Sequence, residues 1–214
     1  MDVVLRSNKV MIKNIIFDIG NVLAAFRWAD YIRRDLGFSE EVVKVFGEKI
    51  VVNPLWDELD LGIRDEKEII EEMKSRVPEY QKEADAFFEN ILEIVETYPY
   101  SREWLSRLKQ EGYHVYLLSN YPRSTYLMHE QAKFDFVPVA DGKVISGFEK
   151  MAKPDPRIYR LLMKRYVLQP EECVFLDDRQ VNIDAAVALG MQGIVFTGYE
   201  EANAELERLL RTWE

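Results

Sequence analysis

Residues 14–23 read Asn14-Ile15-Ile16-Phe17-Asp18-Ile19-Gly20-Asn21-Val22-Leu23, and the reading of this stretch decides the rest. The β-branched and aromatic run Asn14 to Phe17 has the texture of a buried parallel strand, and Asp18-Ile19-Gly20 that of the loop leaving it. In open α/β sheets, ligands bind in the crevice at the carboxyl ends of the strands, so Asp18 stands where a functional carboxylate would stand. The same residue types also build ordinary turns, in which an Asp before Gly-Asn caps backbone amides. What separates the two readings is whether other parts of the chain converge on the same edge.

Two later apolar runs end in the same manner. Tyr113 to Leu118 closes on Ser119-Asn120, and Cys173 to Leu176 closes on Asp177-Asp178. Helical patterns alternate with them. Ser101 reads as the cap of a helix that ends at Gly112, and further helices are expected over Arg123–Gln131, Arg157–Tyr166, Ile183–Leu189 and Glu201–Leu210. Gly193 to Phe196 reads as a last core strand. Val137–Ala140, Asp141-Gly142 and Lys143–Ile145 read as a hairpin, since Asp-Gly favours its tight turn. Strands alternating with helices imply a parallel sheet.

Between the first strand and Tyr98 the pattern is helical throughout. Apolar residues recur at helical spacing from Trp28 to Leu36 and after Ser39. Asn53-Pro54 opens a short helix, Asp65-x-x-Glu68 is a capping box, and a longer helix is expected from Glu79 to Thr97. About 70 such residues exceed the ~2–6 of an ordinary βα connection, and they read as an insertion. The expected fold class is α/β. A Rossmann-like parallel-sheet core spans 11–25 and 99–214, an all-helical cap spans 26–98, and residues 1–10 form a peripheral leader, with Met11 as an alternative start.

Composition bounds the function. With Lys+Arg 28 against Asp+Glu 38, the net charge of -10 repels a phosphate backbone, and no basic patch offsets it, so nucleic acid is not an expected partner. No run has the length of a membrane span or the layout of a secretory signal, and Cys173 alone allows no internal disulfide. A cytoplasmic protein with no membrane partner is expected. No repeat or heptad run specifies an oligomeric state.

If the strands are parallel neighbours, Asp18, Ser119-Asn120 and Asp177-Asp178 gather at one edge, with Lys153 at the entry to a helix. Phosphoryl transfer needs such a set: a nucleophile, donors for the phosphate oxygens, and cations to neutralise its charge. Carboxylates from different strands suit Mg²⁺, which takes one or two of them plus water and substrate phosphate. Trp56 reads either as cap core or as an apolar wall above the substrate. Asp57, Glu58 and Asp60 beside it read as a solvated face, and His114 and His129 belong to no catalytic constellation.

The motifs Phe17-Asp18-x-Gly20-Asn21-Val22-Leu23, Leu118-Ser119-Asn120, Lys153-Pro154-Asp155-Pro156 and Phe175-Leu176-Asp177-Asp178 resemble, in order and spacing, those of the haloacid dehalogenase-like hydrolase superfamily. The resemblance runs from about Met11 to Phe196. It implies that Asp18 is a nucleophile that forms an aspartyl-phosphate, and that Mg²⁺ is held by Asp18, the carbonyl of Gly20 and Asp178. By the same likeness Asp177 is an outer or water-mediated ligand, Ser119 and the backbone at Asn120 bind phosphate, and Lys153 screens Asp18 from the anion it attacks.

The sequence departs from this pattern at Gly20. Most phosphatases resembling it carry a second aspartate there, which protonates the leaving oxygen and later activates water. Such assistance is worth roughly 10²–10⁴-fold. The Asp-x-Gly-Asn form is similar to a subgroup that includes sugar-1-phosphate phosphatases, whose anomeric leaving group is less basic than an ordinary alcohol. The resemblance thus implies a phosphatase for a small phosphorylated metabolite, with a sugar phosphate as the first candidate. Two alternatives stay open: a metal-independent 2-haloacid dehalogenase, and a non-catalytic metabolite-binding protein on the same fold. The pair Asp177-Asp178 argues against the first, because carboxylates crowded beside a nucleophilic one call for a cation.

Overall fold

A computed structural model describes residues 11–211. The peripheral leader expected over 1–10 lies outside them. In chain order, β1 (Asn14–Phe17) and β2 (Ala24–Phe26) are followed by α1 (Trp28–Asp30), α2 (Glu40–Phe46), α3 (Pro54–Leu61), α4 (Glu66–Ser75) and α5 (Gln81–Glu89). After β3 (Val95–Thr97) come α6 (Ser101–Gln110), β4 (His114–Ser119), α7 (Arg123–Ala132), β5 (Gly142–Ile145), α8 (Ser146–Glu149) and α9 (Pro156–Tyr166). The chain closes with β6 (Cys173–Asp177), α10 (Gln180–Val187), β7 (Gln192–Val195) and α11 (Tyr199–Arg211). Among these helices none is long and apolar enough to cross a membrane.

Five strands form one parallel sheet in the order β5-β4-β1-β6-β7. The fold class is therefore the expected α/β, with β1 at the centre. Burial on both faces explains why the strands read as continuous apolar runs. Ile15, Phe17, Val115, Leu117, Val174 and Leu176 face one core, shared with Leu105 of α6 and Leu206 of α11. Ile16, Leu118 and Phe175 face the other, shared with Ile158 and Leu162 of α9 and Ile183 of α10. The period of two along each strand sorts these residues to opposite faces.

Three expectations need correction. The helix expected from Glu79 to Thr97 ends at Glu89, and Val95–Thr97 is β3, paired antiparallel with β2. The stretch expected as all-helical thus begins and ends in a two-stranded ribbon. No hairpin joins the segments around Asp141-Gly142 either. Val137–Val139 is a 3-10 turn, and β5 runs parallel to β4. The Asp141 carboxylate accepts from Val115 N at 2.8 Å and pairs with Lys109 at 2.6 Å. Gly142 lies under Tyr166, so close that a Cβ there would come within 2.2 Å of the ring. That glycine answers to packing rather than to a turn. Ser101, finally, is the first residue of α6 rather than its cap, and its hydroxyl donates to Leu23 O at 2.6 Å, tying the helix to the loop after β1.

Candidate active site

The sheet register builds the floor of the site. Phe17 stands opposite Leu117 and Leu176, so Asp18, the next residue, is level with Leu118 and Asp177, with Ser119 one step beyond. Between the two carboxylates lies Lys153, only 4% exposed. Its Nζ is 2.8 Å from Asp18 Oδ1 and 2.6 Å from Asp177 Oδ2, and it donates to Leu118 O at 2.9 Å. Three partners match the three protons of an ammonium. The backbone of Lys153 is fixed as well: its N–H donates to Asn120 Oδ1 at 2.8 Å, and Asn120 Nδ2 donates to Lys153 O at 2.9 Å. The side chain of Asn120 is thus a clamp on the lysine loop, which leaves to its backbone any contact with phosphate.

The electrostatics follow from this burial. Burial pushes the Asp18 carboxyl above the usual carboxylate range; the Lys153 ammonium and the Ser119 hydroxyl pull it back, while Asp177 adds to the rise. Burial also works against the charge on Lys153, but the two carboxylates outweigh it and raise its pKa. The lysine is therefore a fixed cation. Asp177, fully buried, accepts in addition from Asn182 Nδ2 at 2.9 and 3.0 Å and from Arg179 N at 2.8 Å.

Asp18, Asp177 and Asp178 each offer a ligand oxygen, all within 4.8 Å of one another. The donor set is all-oxygen and hard, which fits Mg²⁺. Asp177 is already engaged by Lys153, Asn182 and Arg179 N, so its fit is that of a carboxylate holding the lysine, while Asp18 and Asp178 are better suited to hold a metal. Asp178 is aimed by Asn21, whose Nδ2 donates to Asp178 Oδ2 at 2.9 Å and whose Oδ1 accepts from Phe26 N at 3.1 Å. Asn21 adopts the left-handed conformation at φ 55°, which asparagine tolerates better than most residues. At Gly20 an added Cβ would meet nothing within 4 Å, so the position of the missing aspartate opens onto free space.

Above the floor lies a cavity of about 230 Å³ that contains Asp18, Gly20, Asn120, Lys153 and Asp178 in its walls. Phe26, Trp56, Ile91, Ile94 and Val95 form its apolar side. Trp56 packs on Phe26 with ring centroids 5.5 Å apart, and it both packs against the hydrophobic core and lines the cavity. Asp60 is not part of a solvated face. It lines the cavity, and burial, aided by the charges of Asp57 and Asp18, pushes its carboxyl up to about 8. His114 is exposed at the start of β4. His129 is buried, bonded to Tyr121 OH at 2.7 Å and 3.2 Å from Ile91 O; burial lowers its pKa to about 4, so it is a neutral strut.

Sequence reasoning gave no role to Asn21, Asn182 or Asp60. Asn21 stands in the first quoted motif and Asn182 five residues after Asp177, and a polar side chain a few residues after a strand-end aspartate is the signal that could have marked them. For Asp60 no local signal exists.

A family profile described as haloacid dehalogenase-like hydrolase matches residues 12–190. Among curated relatives, the sesquiterpene phosphatase astK of Aspergillus oryzae is 26% identical over 92% of this chain and 96% of its own length. The acyl-CoA dehydrogenase family member 10 of Mus musculus is 33% identical over 55% of this chain, a stretch that spans 11% of that longer protein. A HAD family enzyme of Bacteroides thetaiotaomicron, solved with magnesium and inorganic phosphate, superposes with a TM-score of 0.68 at 23% identity, covering 90% of this chain and 98% of that one.

Proposed function

The chain belongs to the haloacid dehalogenase-like hydrolase family, and from that premise we propose that it is a Mg²⁺-dependent phosphatase acting on a small phosphomonoester through an aspartyl-phosphate on Asp18. One observation carries the reading. A buried carboxylate at the end of the central strand has a buried ammonium 2.8 Å away and a further, partly exposed carboxylate within metal-bridging reach.

Each residue then has a task. Asp18 attacks phosphorus, the bond to the leaving oxygen breaks, and water later cleaves the acyl phosphate to return the carboxylate. Lys153 neutralises the charge that would otherwise repel anion from anion, and Ser119 with the backbone at Asn120 binds the equatorial oxygens. Asp178, aimed by Asn21, and Asp18, with the Gly20 carbonyl, would hold Mg²⁺. When bound, that ion offsets the charge on the transferring group.

The substrate is small, because the cavity falls below the ~300–1,000 Å³ of common ligand pockets. The apolar wall suits a leaving group that presents an apolar face. A sugar ring stacked on Trp56 satisfies this, as does an apolar alcohol, and the phosphatase name carried by the Aspergillus relative supports the same reaction class. A screen of phosphorylated metabolites with and without Mg²⁺ tests the proposal. Turnover is expected only with the metal and only with Asp18 intact; metal-free release of halide from 2-haloacids would point to the dehalogenase alternative. Failure to bind a phosphate-mimicking metal fluoride would point to a non-catalytic binder.

A further inference from the structure

On the strength of that phosphatase reading, we infer that Asp60, contributed by α3, is the acid that protonates the leaving oxygen and then activates water, in place of the aspartate that Gly20 lacks. The place for such a group is open: a Cβ at Gly20 would meet nothing within 4 Å, and Gly20 lines the same cavity as Asp18 and Asp60. Asp60 lines that cavity from α3, and Asp18 lines it from the end of β1.

Its position is fixed by docking. Ser146 Oγ of α8 donates to Asp60 O. Two residues on, Gly62 ends α3 in the left-handed conformation at φ 64°, and a Cβ there would lie 2.5 Å from Gly147 O. Gly147 is pressed in turn against Tyr121 O and Arg123 N, each 2.6 Å from where its Cβ would be. The end of α3 therefore sits on α8, which sits in turn on the loop after β4, and glycine at both positions allows the close approach. Asp60 is carried by the insertion but held by the core.

The charged groups around it set its protonation. Asp57 from α3 and Asp18 from the floor disfavour its ionisation beyond what burial already does, while Lys153 and Arg179 favour it; Tyr121 from the loop after β4 also lies close enough to feel its charge. Burial dominates, and the carboxyl keeps its proton at neutral pH. In the first step an Asp18 oxygen bonds to phosphorus, the bond from phosphorus to the leaving oxygen breaks, and that oxygen takes the Asp60 proton. In the second step the Asp60 carboxylate takes a proton from water as its oxygen bonds to phosphorus. The bond from phosphorus to Asp18 breaks, and phosphate leaves with Asp18 ionised and Asp60 protonated, as at the start.

The test compares wild type, Asp60→Asn, Gly20→Asp and the double variant on two substrates with Mg²⁺: an aryl phosphate with a good leaving group and an alkyl phosphate with a poor one. Asp60→Asn is expected to lower kcat on the alkyl phosphate by roughly 10²–10⁴-fold and on the aryl phosphate much less at the phosphorylation step. Gly20→Asp, whose side chain enters open space, is expected to restore the alkyl activity in the double variant. A merely structural role for Asp60 predicts equal losses on both substrates and no rescue, and that result, or unchanged alkyl turnover in Asp60→Asn, overturns the inference. Turnover of the aryl phosphate by wild type keeps the phosphatase reading intact in either case. If wild type hydrolyses neither substrate while folded and metal-loaded, the phosphatase reading falls and takes the inference with it.

Discussion

The floor of the cavity and its wall are built by different rules. On the floor, Lys153, Asp177, Asn182 and Asn120 are linked by side-chain hydrogen bonds, and the charged members, Lys153 and Asp177, have several partners each. The apolar wall is made of single side chains, Phe26 from β2, Trp56 from α3, Ile91 and Ile94 from the turn before β3, each packed against the hydrophobic core. A network of the first kind cannot lose a charged member without leaving a buried charge behind. The second kind can vary one residue at a time, which suits a surface that selects substrates.

Substitutions separate the two regions by size of effect. Lys153→Met should be the most damaging, since it leaves Asp18 and Asp177 facing each other buried and unpaired. Breaking a buried pair in this way costs ~3–5 kcal/mol, to be read from urea unfolding at pH 7, and hydrolysis should vanish with it. Lowering the pH should recover part of the stability by protonating the carboxylates. Next comes Asn21→Ala, which frees Asp178 and removes the acceptor for Phe26 N. By analogy with outer partners of metal ligands, Mg²⁺ affinity should fall ~10–100-fold, measured as the metal concentration for half-maximal turnover. On the wall, Trp56→Ala should raise KM by roughly 10-fold for the preferred substrate, about what one lost apolar contact supplies, while kcat on a minimal phosphate stays close to wild type. An equal loss of kcat on all substrates would erase the distinction between floor and wall.

A pH experiment on the metal-free protein sharpens the contrast without activity. Asp18 and Asp60 both have folded pKa values above their unfolded ones, so the folded state binds more protons and the stability they contribute at low pH is lost as the pH rises. For Asp60 the loss runs from about pH 4, near the unfolded value, to about pH 8. Stability should therefore decline from pH 5 to pH 8 in thermal melts, and Asp60→Asn, which removes the titration, should flatten that decline and be the more stable protein at pH 8. A wild-type profile with no slope in this window would contradict the protonation assigned to Asp60.

The same division governs what could be read in the sequence. Asp18, Ser119, Asp177 and Asp178 follow apolar runs that could only be buried strands, and the parallel order brings them to one edge without further information. The lysine loop was legible for a similar reason, as Lys153 precedes a proline-bounded helix start. Asp60 was not. Its side chain is one of several carboxylates on a short helix, of which Asp57 lines the cavity too, and where the end of that helix lies depends on Gly62 docking against Gly147, 85 residues later in the chain. Asp141-Gly142 misled because its side chain and its missing Cβ serve Val115 and Tyr166 rather than a turn. Val95–Thr97 misled because a helical stripe ran on past Asn90, where pairing with β2 took over.

The central claim, a covalent phosphoryl group on Asp18, is open to direct measurement. Rapid acid quench of the enzyme turning over a phosphomonoester with Mg²⁺, followed by digestion and mass spectrometry, should find one phosphoryl group on the peptide containing Asp18, and none in Asp18→Asn or after chelation. Steady turnover with no phosphoryl group on that peptide at any quench time, or turnover that survives Asp18→Asn, would contradict it.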